Sequence, residues 1–149
     1  MHGGNLPKRL QSHSKKSKSL FNNAICNISP SEYLKNSFKN YGYDNIVHIP
    51  NTLRIENYKL IEKDFSYPKL LWVRSFSKIY NPKLAVKVLK QLKKTYSNAE
   101  LCMVGPDNDG SLKEVIDLAV KLNIDVKITG KLTKQKWIEL AQGYNVFIN

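Results

Sequence analysis

The sequence predicts an α/β fold built on a mainly parallel sheet. Three observations carry that expectation. Short β-rich runs alternate with amphipathic segments along most of the chain, the stretches between runs are long enough for helical crossovers rather than hairpins, and turn residues mark the junctions. At 149 residues, with 42% hydrophobic and 24% charged residues, the chain has the make-up of an ordinary globular domain and is long enough to bury a core.

Ala24 to Ile28 (AICNI) is the first strand candidate. Ser29 and Pro30 then signal a helix over Ser31 to Asn40, with Glu32 in its first turn and Gly42 marking its end. Ile46 to Ile49 (IVHI) is the second strand, closed by Pro50 and Asn51, and the polar stretch Thr52 to Tyr67 reads as a crossing between two modules. Beyond it the alternation is more regular. Strand Lys69 to Val73 leads to helix Pro82 to Tyr96, strand Glu100 to Val104 to helix Ser111 to Leu122, and strand Val126 to Thr129 to helix Lys134 to Gln142, before a last strand at Val146 to Ile148. A helix between successive strands specifies βαβ crossovers, hence parallel pairing with helices on both faces. The last strand reads as buried with no helix after it, and His2-Gly3-Gly4 follows Met1 with no strand leading in. Both ends are therefore expected to be cut from something larger.

The formal charge of +12 points to polyanions as partners. Its quality argues against specific nucleic-acid reading: only Arg9, Arg54 and Arg74 are arginine, and lysine is poorly suited to bidentate recognition. Lys8 to Lys18 is an acid-free basic cluster, whereas Lys83 to Lys94 falls at helical spacing, as a solvated face does. No apolar run is long enough to span a bilayer and the first residues lack the apolar region of a secretory signal, so the expected address is cytoplasmic, with peripheral contact at an anionic membrane as an option. Cys26 and Cys102 each sit in an apolar run and are expected to be buried, reduced and structural.

Three stretches are candidates for chemistry. His2-Gly3-Gly4-Asn5-Leu6-Pro7 joins an imidazole to two residues that let a ligand approach the backbone, and reads equally as a Gly-rich turn with a helix start at Pro7. Leu101 to Ser111 (LCMVGPDNDGS) runs from strand through Gly105 and Gly110 into a helix, a phosphate-holding position. It lacks a Gly-Lys-Ser/Thr ending, however, and Asp107 and Asp109 repel phosphate, so a turn capping the Ser111 helix fits better. Arg74 and Lys78 follow the strand KLLWV at its carboxyl end, where ligand contacts concentrate in open α/β sheets; a guanidinium and an amine four residues on suit a diphosphate, or are simply solvated charges. The scattered His2, His13 and His48 and the two distant cysteines form no metal-ligand spacing, so no metal site is expected, and His48, mid-strand, reads as structural. Neither a GxSxG elbow nor a GxGxxG after a strand occurs.

In order, these stations resemble the GT-B glycosyltransferases, and among them the retaining enzymes of glycosyltransferase family 4. His2-Gly3-Gly4, AICNISPSEY with the helix ending at Tyr41-Gly42, and VHIPN at Val47 to Asn51 are similar to the end of that family's first domain. PKLLWVRSF at Pro68 to Phe76, YSNAELCMVGP, and VKITGKL to NVFIN are similar to the start of its second. The resemblance implies part of a two-domain fold of Rossmann-like units: residues 1–51 the end of the first domain, 52–67 the crossing, and 68–149 the beginning of the nucleotide-sugar domain. It implies a sugar moved from a nucleotide-sugar donor to an acceptor (glycan, lipid-linked or small molecule) with retention and without a metal or other cofactor.

By the same resemblance His2 lies at the cleft beside the transferred sugar, Gly3 and Gly4 admit it to the backbone, and basic residues after the second domain's first strand hold the diphosphate. The family pattern is Gly-Arg followed by Lys-Gly, whereas here Arg74-Ser75 is followed by Tyr80-Asn81-Pro82. Arg74 is therefore carried over, the usual lysine is replaced by Tyr80 or Asn81, and Lys78 is a substitute cation. A Glu-x7-Glu element that contacts the donor lies beyond the strand VFIN in the family and is not among these residues, so the chain is expected to be an incomplete fragment that does not transfer sugar by itself. The rival expectation, from the charge alone, is a basic module that binds anionic lipid or nucleic acid without catalysis.

Overall fold

The computed structural model describes residues 5–149 and divides the chain into two compact units, one ending at Asn57 and the other running Tyr58–Asn149. In the first unit, α1 (Leu6–Ser12) and α2 (Ser14–Asn22) precede β1 (Asn27–Ser29), α3 (Glu32–Asn40) and β2 (Ile46–His48). Pro7 sits in the first turn of α1, where its missing N–H costs nothing. Ser31 caps α3 by accepting the Leu34 N–H, and Gly42 follows the helix at a positive φ of 81°. β1 and β2 pair in parallel, Ile28 opposite Val47. The core of this unit is Leu10, Phe21, Phe38, Tyr43 and Ile46, with the three rings edge to face at centroid separations of 4.9 to 5.7 Å.

The first strand is displaced from its expected place. Ala24, Ile25 and Cys26 lie outside it, and Cys26 is exposed, contrary to the reading of both cysteines as buried. The inward positions of β1 are polar: Asn27 and Ser29 are buried, and the Asn27 side-chain amide donates to Phe21 O (3.0 Å) and Asn45 Oδ1 (2.9 Å). Hydrogen bonds make that burial tolerable, so apolar patterning alone misplaces the strand. At the end of β2, His48 Nδ1 lies 2.8 Å from Glu32 Oε1 on α3, which ties strand to helix.

The second unit is a four-stranded parallel sheet of order β5-β4-β3-β6, with β3 (Lys69–Val73), β4 (Glu100–Val104), β5 (Lys127–Gly130) and β6 (Val146–Ile148). The intervening helices are α4 (Pro82–Leu92), α5 (Ser111–Leu122) and α6 (Lys134–Ala141). Alternate residues serve opposite faces. Leu70, Trp72, Leu101 and Met103 pack with Val86 and Leu89 of α4 and Val115 of α5, whereas Leu71, Cys102 and Val104 meet Trp137 and Leu140 of α6. Helices thus cover both faces, as parallel pairing demands.

α4 is shorter than expected because the chain turns after Leu92, where Thr95 and Tyr96 both return N–H groups to the Leu92 carbonyl. The expectation that Val146 to Ile148 is a buried strand is also corrected. Among the described residues β6 pairs only with β3, at the edge of the sheet, and Phe147 is 60% exposed. Among the described residues no helix is long and apolar enough to cross a membrane.

Candidate functional site

From β3 the chain steps through β4 to β5 in one direction, then returns to place β6 on the other side of β3. The order reverses between β3 and β6, and a crevice opens beyond their carboxyl ends at such a reversal. Arg74 follows β3 there. Its guanidinium lies 5.4 Å from the centroid of the Tyr80 ring, and its Nε donates to Oδ1 of Asn149, which follows β6. Arg74 is exposed, with the Tyr80 ring and the Asn149 amide as its partners. A small groove of about 110 Å³ adjoins it, lined by Trp72, Tyr80, Asn81, Leu84, Ile148 and Asn149.

The backbone at this point is held by the neighbouring strand. Arg74 N–H donates to Val104 O (3.0 Å), Phe76 N–H to Pro106 O (2.7 Å), and Asn108 N–H to Phe76 O (3.0 Å), so the loops after β3 and β4 stay paired beyond the strands. Asp109 finishes this link. Its carboxylate accepts from Ser77 Oγ (2.8 Å), Lys78 N–H (2.9 Å), Ser111 Oγ (2.5 Å) and Ser111 N–H (3.2 Å). The Ser111 hydroxyl first and the Lys78 N–H next hold its acidity at a pKa of about 2.

α4, α5 and α6 all begin at this edge of the sheet, and the N-termini of the first two differ. Asp107 accepts the Gly110 N–H and Asp109 that of Ser111, so carboxylates of the chain itself fill the start of α5, which bears out the capping-turn reading of LCMVGPDNDGS. At α4 the cap residue is Asn81, in the left-handed conformation at φ 46°, and its side chain makes no capping hydrogen bond. Of the two, α4 has no carboxylate at its start; Pro82 carries no N–H and the Leu84 N–H donates to Asn81 O (2.9 Å). Beside it is a second groove, of about 340 Å³, lined by Lys78, Asn81, Pro82, Lys83, Ser111 and Glu114. Glu114 is shared by two ammonium groups, Lys83 at 2.5 Å and Lys78 at 3.8 Å, and the Lys83 hydrogen bond chiefly lowers its pKa.

Arg74, Lys78 and Asn81 therefore occupy one loop, with Asn81 lining both grooves. Arg74 and Lys78 have separate partners: Tyr80 and Asn149 for the guanidinium, Glu114 for the amine. His2, Gly3 and Gly4 lie outside the described residues. Sequence reasoning did not find the support around Arg74. Tyr80 was visible only as a departure from a pattern, and the approach of Asn149 and Asp109 depends on strand order and loop pairing. No group of three or more His, Cys, Asp or Glu that could hold a metal occurs among the described residues.

Comparison with known proteins bears on the fold and the family. Among curated proteins no sequence matches the chain. Among solved structures, HepE of Anabaena in complex with UDP-glucose superposes with a TM-score of 0.71 at 18% identity over 92% of this chain, and HepE with UDP and glucose with 0.71 at 16% over 95%. The apo form of the lipopolysaccharide outer core galactosyltransferase WaaB gives 0.55 at 18% over 80%. The chain spans 41% of HepE and 33% of WaaB. These likenesses show the α/β, parallel-sheet fold of the GT-B glycosyltransferases. The family model described as glycosyl transferases group 1 matches residues 54–149, which hold β3 to β6 and the crevice at Arg74, and on that match the chain belongs to the glycosyl transferases group 1 family.

Proposed function

We propose that this chain carries part of the donor site of a retaining, family 4 glycosyltransferase, in which Arg74 holds the diphosphate of a nucleotide-sugar. The observation that carries the proposal is the exposed Arg74 guanidinium, held by Tyr80 and Asn149 at the reversal of strand order. A diphosphate bears its charge on outward oxygens, and a braced guanidinium meets two of them without first losing side-chain freedom. The uncapped N-terminus of α4 adds partial positive charge, and Lys78 adds an ammonium that Glu114 partly neutralises. That HepE is solved with UDP-glucose and with UDP supports a nucleotide-sugar as the ligand class.

In this reading the unit ending at Asn57 corresponds to the end of the first GT-B domain and Tyr58–Asn149 to the start of the second, with His2, Gly3 and Gly4 beside the transferred sugar. The side-chain cations neutralise charge on the leaving diphosphate, so no metal or other cofactor is required. Transfer also needs groups that orient the sugar, and the chain spans only 41% of HepE. Nucleotide binding is therefore the appropriate measurement, and turnover by the chain alone is not expected.

Calorimetric titration with uridine, guanosine and adenosine diphosphates, with and without a chelator, is the test. One of them should bind, unaffected by the chelator, and Arg74→Ala should weaken it by about 10- to 100-fold, the value of a charge-assisted hydrogen bond. Failure of all three to bind, or equal binding by the variant, overturns the assignment. Retention is read from the anomeric configuration of any product formed.

A further inference from the structure

We infer that Lys63 is a positioning residue for the diphosphate site, acting through α6 and β6 on the Asn149 amide that partners Arg74. The inference rests on the reading of Arg74 as a diphosphate ligand. Residues 58–67 belong to the second unit and precede β3, yet Lys63, Asp64 and Tyr67 bind the end of α6 and the residue before β6. The Lys63 ammonium donates to the carbonyl oxygens of Ala141 (2.9 Å) and Gln142 (2.6 Å), where α6 ends. The last carbonyls of a helix lack intrahelical partners and carry partial negative charge, so an ammonium suits that end. Beyond Gln142, the Asn145 amide donates to Asp64 O (2.7 Å) and Tyr67 O (2.9 Å). One short segment thus holds both ends of the connection from α6 to β6.

Little else fixes these two elements. α6 has no buried residue, whereas Val86 and Leu89 of α4 and Val115 of α5 are buried. Between the segment and α6 lies a groove of about 280 Å³ lined by Tyr58, Leu60, Ile61, Trp137 and Ile138, and Leu60 is fully exposed, so apolar side chains do not close the gap. A second tie, Lys134 Nζ at 5.8 Å from the Tyr58 ring centroid, is at the start of the helix and away from β6. β6 itself is 3 residues long and, among the described residues, has a ladder on one side only. A strand so short and so placed is weakly held in register. Asn149 follows it directly, and its Oδ1 accepts the Arg74 Nε–H. A shift of the connection before β6 therefore reaches Asn149 along about 13 Å of extended chain. Lys63 sets where that connection sits, and through it the contact that holds the guanidinium.

Lys90 supplies the control. Its Nζ donates to Leu122 O (2.8 Å) at the end of α5, the same chemistry, but α5 leads to β5 at the opposite edge of the sheet from β6. The test compares Lys63→Met and Lys90→Met in the full chain by urea unfolding, by calorimetric titration with uridine, guanosine and adenosine diphosphates, and by the NMR resonance of the Arg74 Nε–H. Both variants should unfold at lower urea than the parent. Lys63→Met alone should move the Nε–H resonance and weaken the nucleotide by about three- to tenfold, the worth of one hydrogen bond to Arg74. Lys63→Arg should restore both readings. In an Asn149→Ala background Lys63→Met should cost no further affinity, because the contact through which it acts is already gone. Equal weakening by Lys90→Met would reduce the effect to general destabilisation and overturn the inference. So would an unchanged resonance, parental affinity in Lys63→Met, or additive losses with Asn149→Ala. A parent that binds none of the three nucleotides overturns the donor-site reading instead, and the Nε–H resonance, which needs no ligand, still decides whether Lys63 positions Arg74.

Discussion

Gly105 lies against the backbone of Arg74 so closely that a Cβ on the glycine would stand 1.6 Å from the Arg74 carbonyl oxygen. The contact is between backbones of adjacent strands as they leave the sheet, with Gly105 N–H donating to Gly130 O on the far side. Glycine here is a requirement of space as well as of its φ of 155°. Gly105→Ala should therefore destabilise the second unit by about 1–3 kcal/mol and displace Arg74. Urea unfolding gives the first quantity and nucleoside-diphosphate titration the second; an alanine variant equal to the parent in both would show that the two strands separate without cost.

Tyr80 and Asn149 hold the Arg74 guanidinium in plane. Tyr80→Phe keeps the ring and should leave nucleotide affinity within about twofold, while Tyr80→Leu should lose about 0.5–1 kcal/mol. Arg74→Lys preserves charge but not the planar fork, and should bind closer to Arg74→Ala than to the parent. Calorimetry on the set decides whether bracing or charge matters more.

Asp109 makes stability depend on acid in a definite window. Its folded pKa of about 2 lies below its ordinary 3.8, so its contribution is fully present above about pH 4 and is lost as pH falls through 2. Asp109→Asn should be less stable than the parent at neutral pH, the difference shrinking between pH 4 and 2. Thermal melts across that range check it; a difference that stays constant would mean that shape rather than charge holds Lys78 and Ser111.

Asn145 does for β6 what Asn45 does for β2. The Asn145 amide donates to Asp64 O (2.7 Å) and Tyr67 O (2.9 Å) and accepts from Lys69 N–H (2.8 Å), while the Asn45 amide donates to Phe21 O (3.0 Å) and Ala24 O (2.8 Å). Each residue immediately precedes an edge strand and pins the loop beside it. Asn145→Ala leaves these backbone groups without their partner and should cost about 1–3 kcal/mol, with faster hydrogen exchange at Lys69 and through β6. Unchanged exchange there would show the strand to be held by its ladder alone.

The two thiols should react very differently. Cys26 is exposed, whereas Cys102 is buried beneath α6 beside Tyr144 and burial raises its pKa. A thiol reagent should label Cys26 rapidly in the native protein and Cys102 only after unfolding. Rapid double labelling would mean that α6 does not cover the sheet.

The sequence by itself determined the second unit almost completely. KLLWV, ELCMV and the helix at Ser111 appear where they were expected because apolar period and turn chemistry agree there, and parallel pairing follows from the helix between each pair of strands. It also placed Arg74 at a strand end and carried a resemblance to glycosyltransferases, which the match to the glycosyl transferases group 1 family supports. In the first unit, patterning misread AICNI, since the inward residues Asn27 and Ser29 are buried through hydrogen bonds that no hydropathy pattern shows. Only the tertiary structure decided that β6 is an exposed edge, that Arg74 rests between Tyr80 and Asn149, and that Lys78 faces Glu114. These are contacts between residues far apart in the chain. Local periodicity reports which face a side chain takes, but the order of strands in the sheet decides what it meets there.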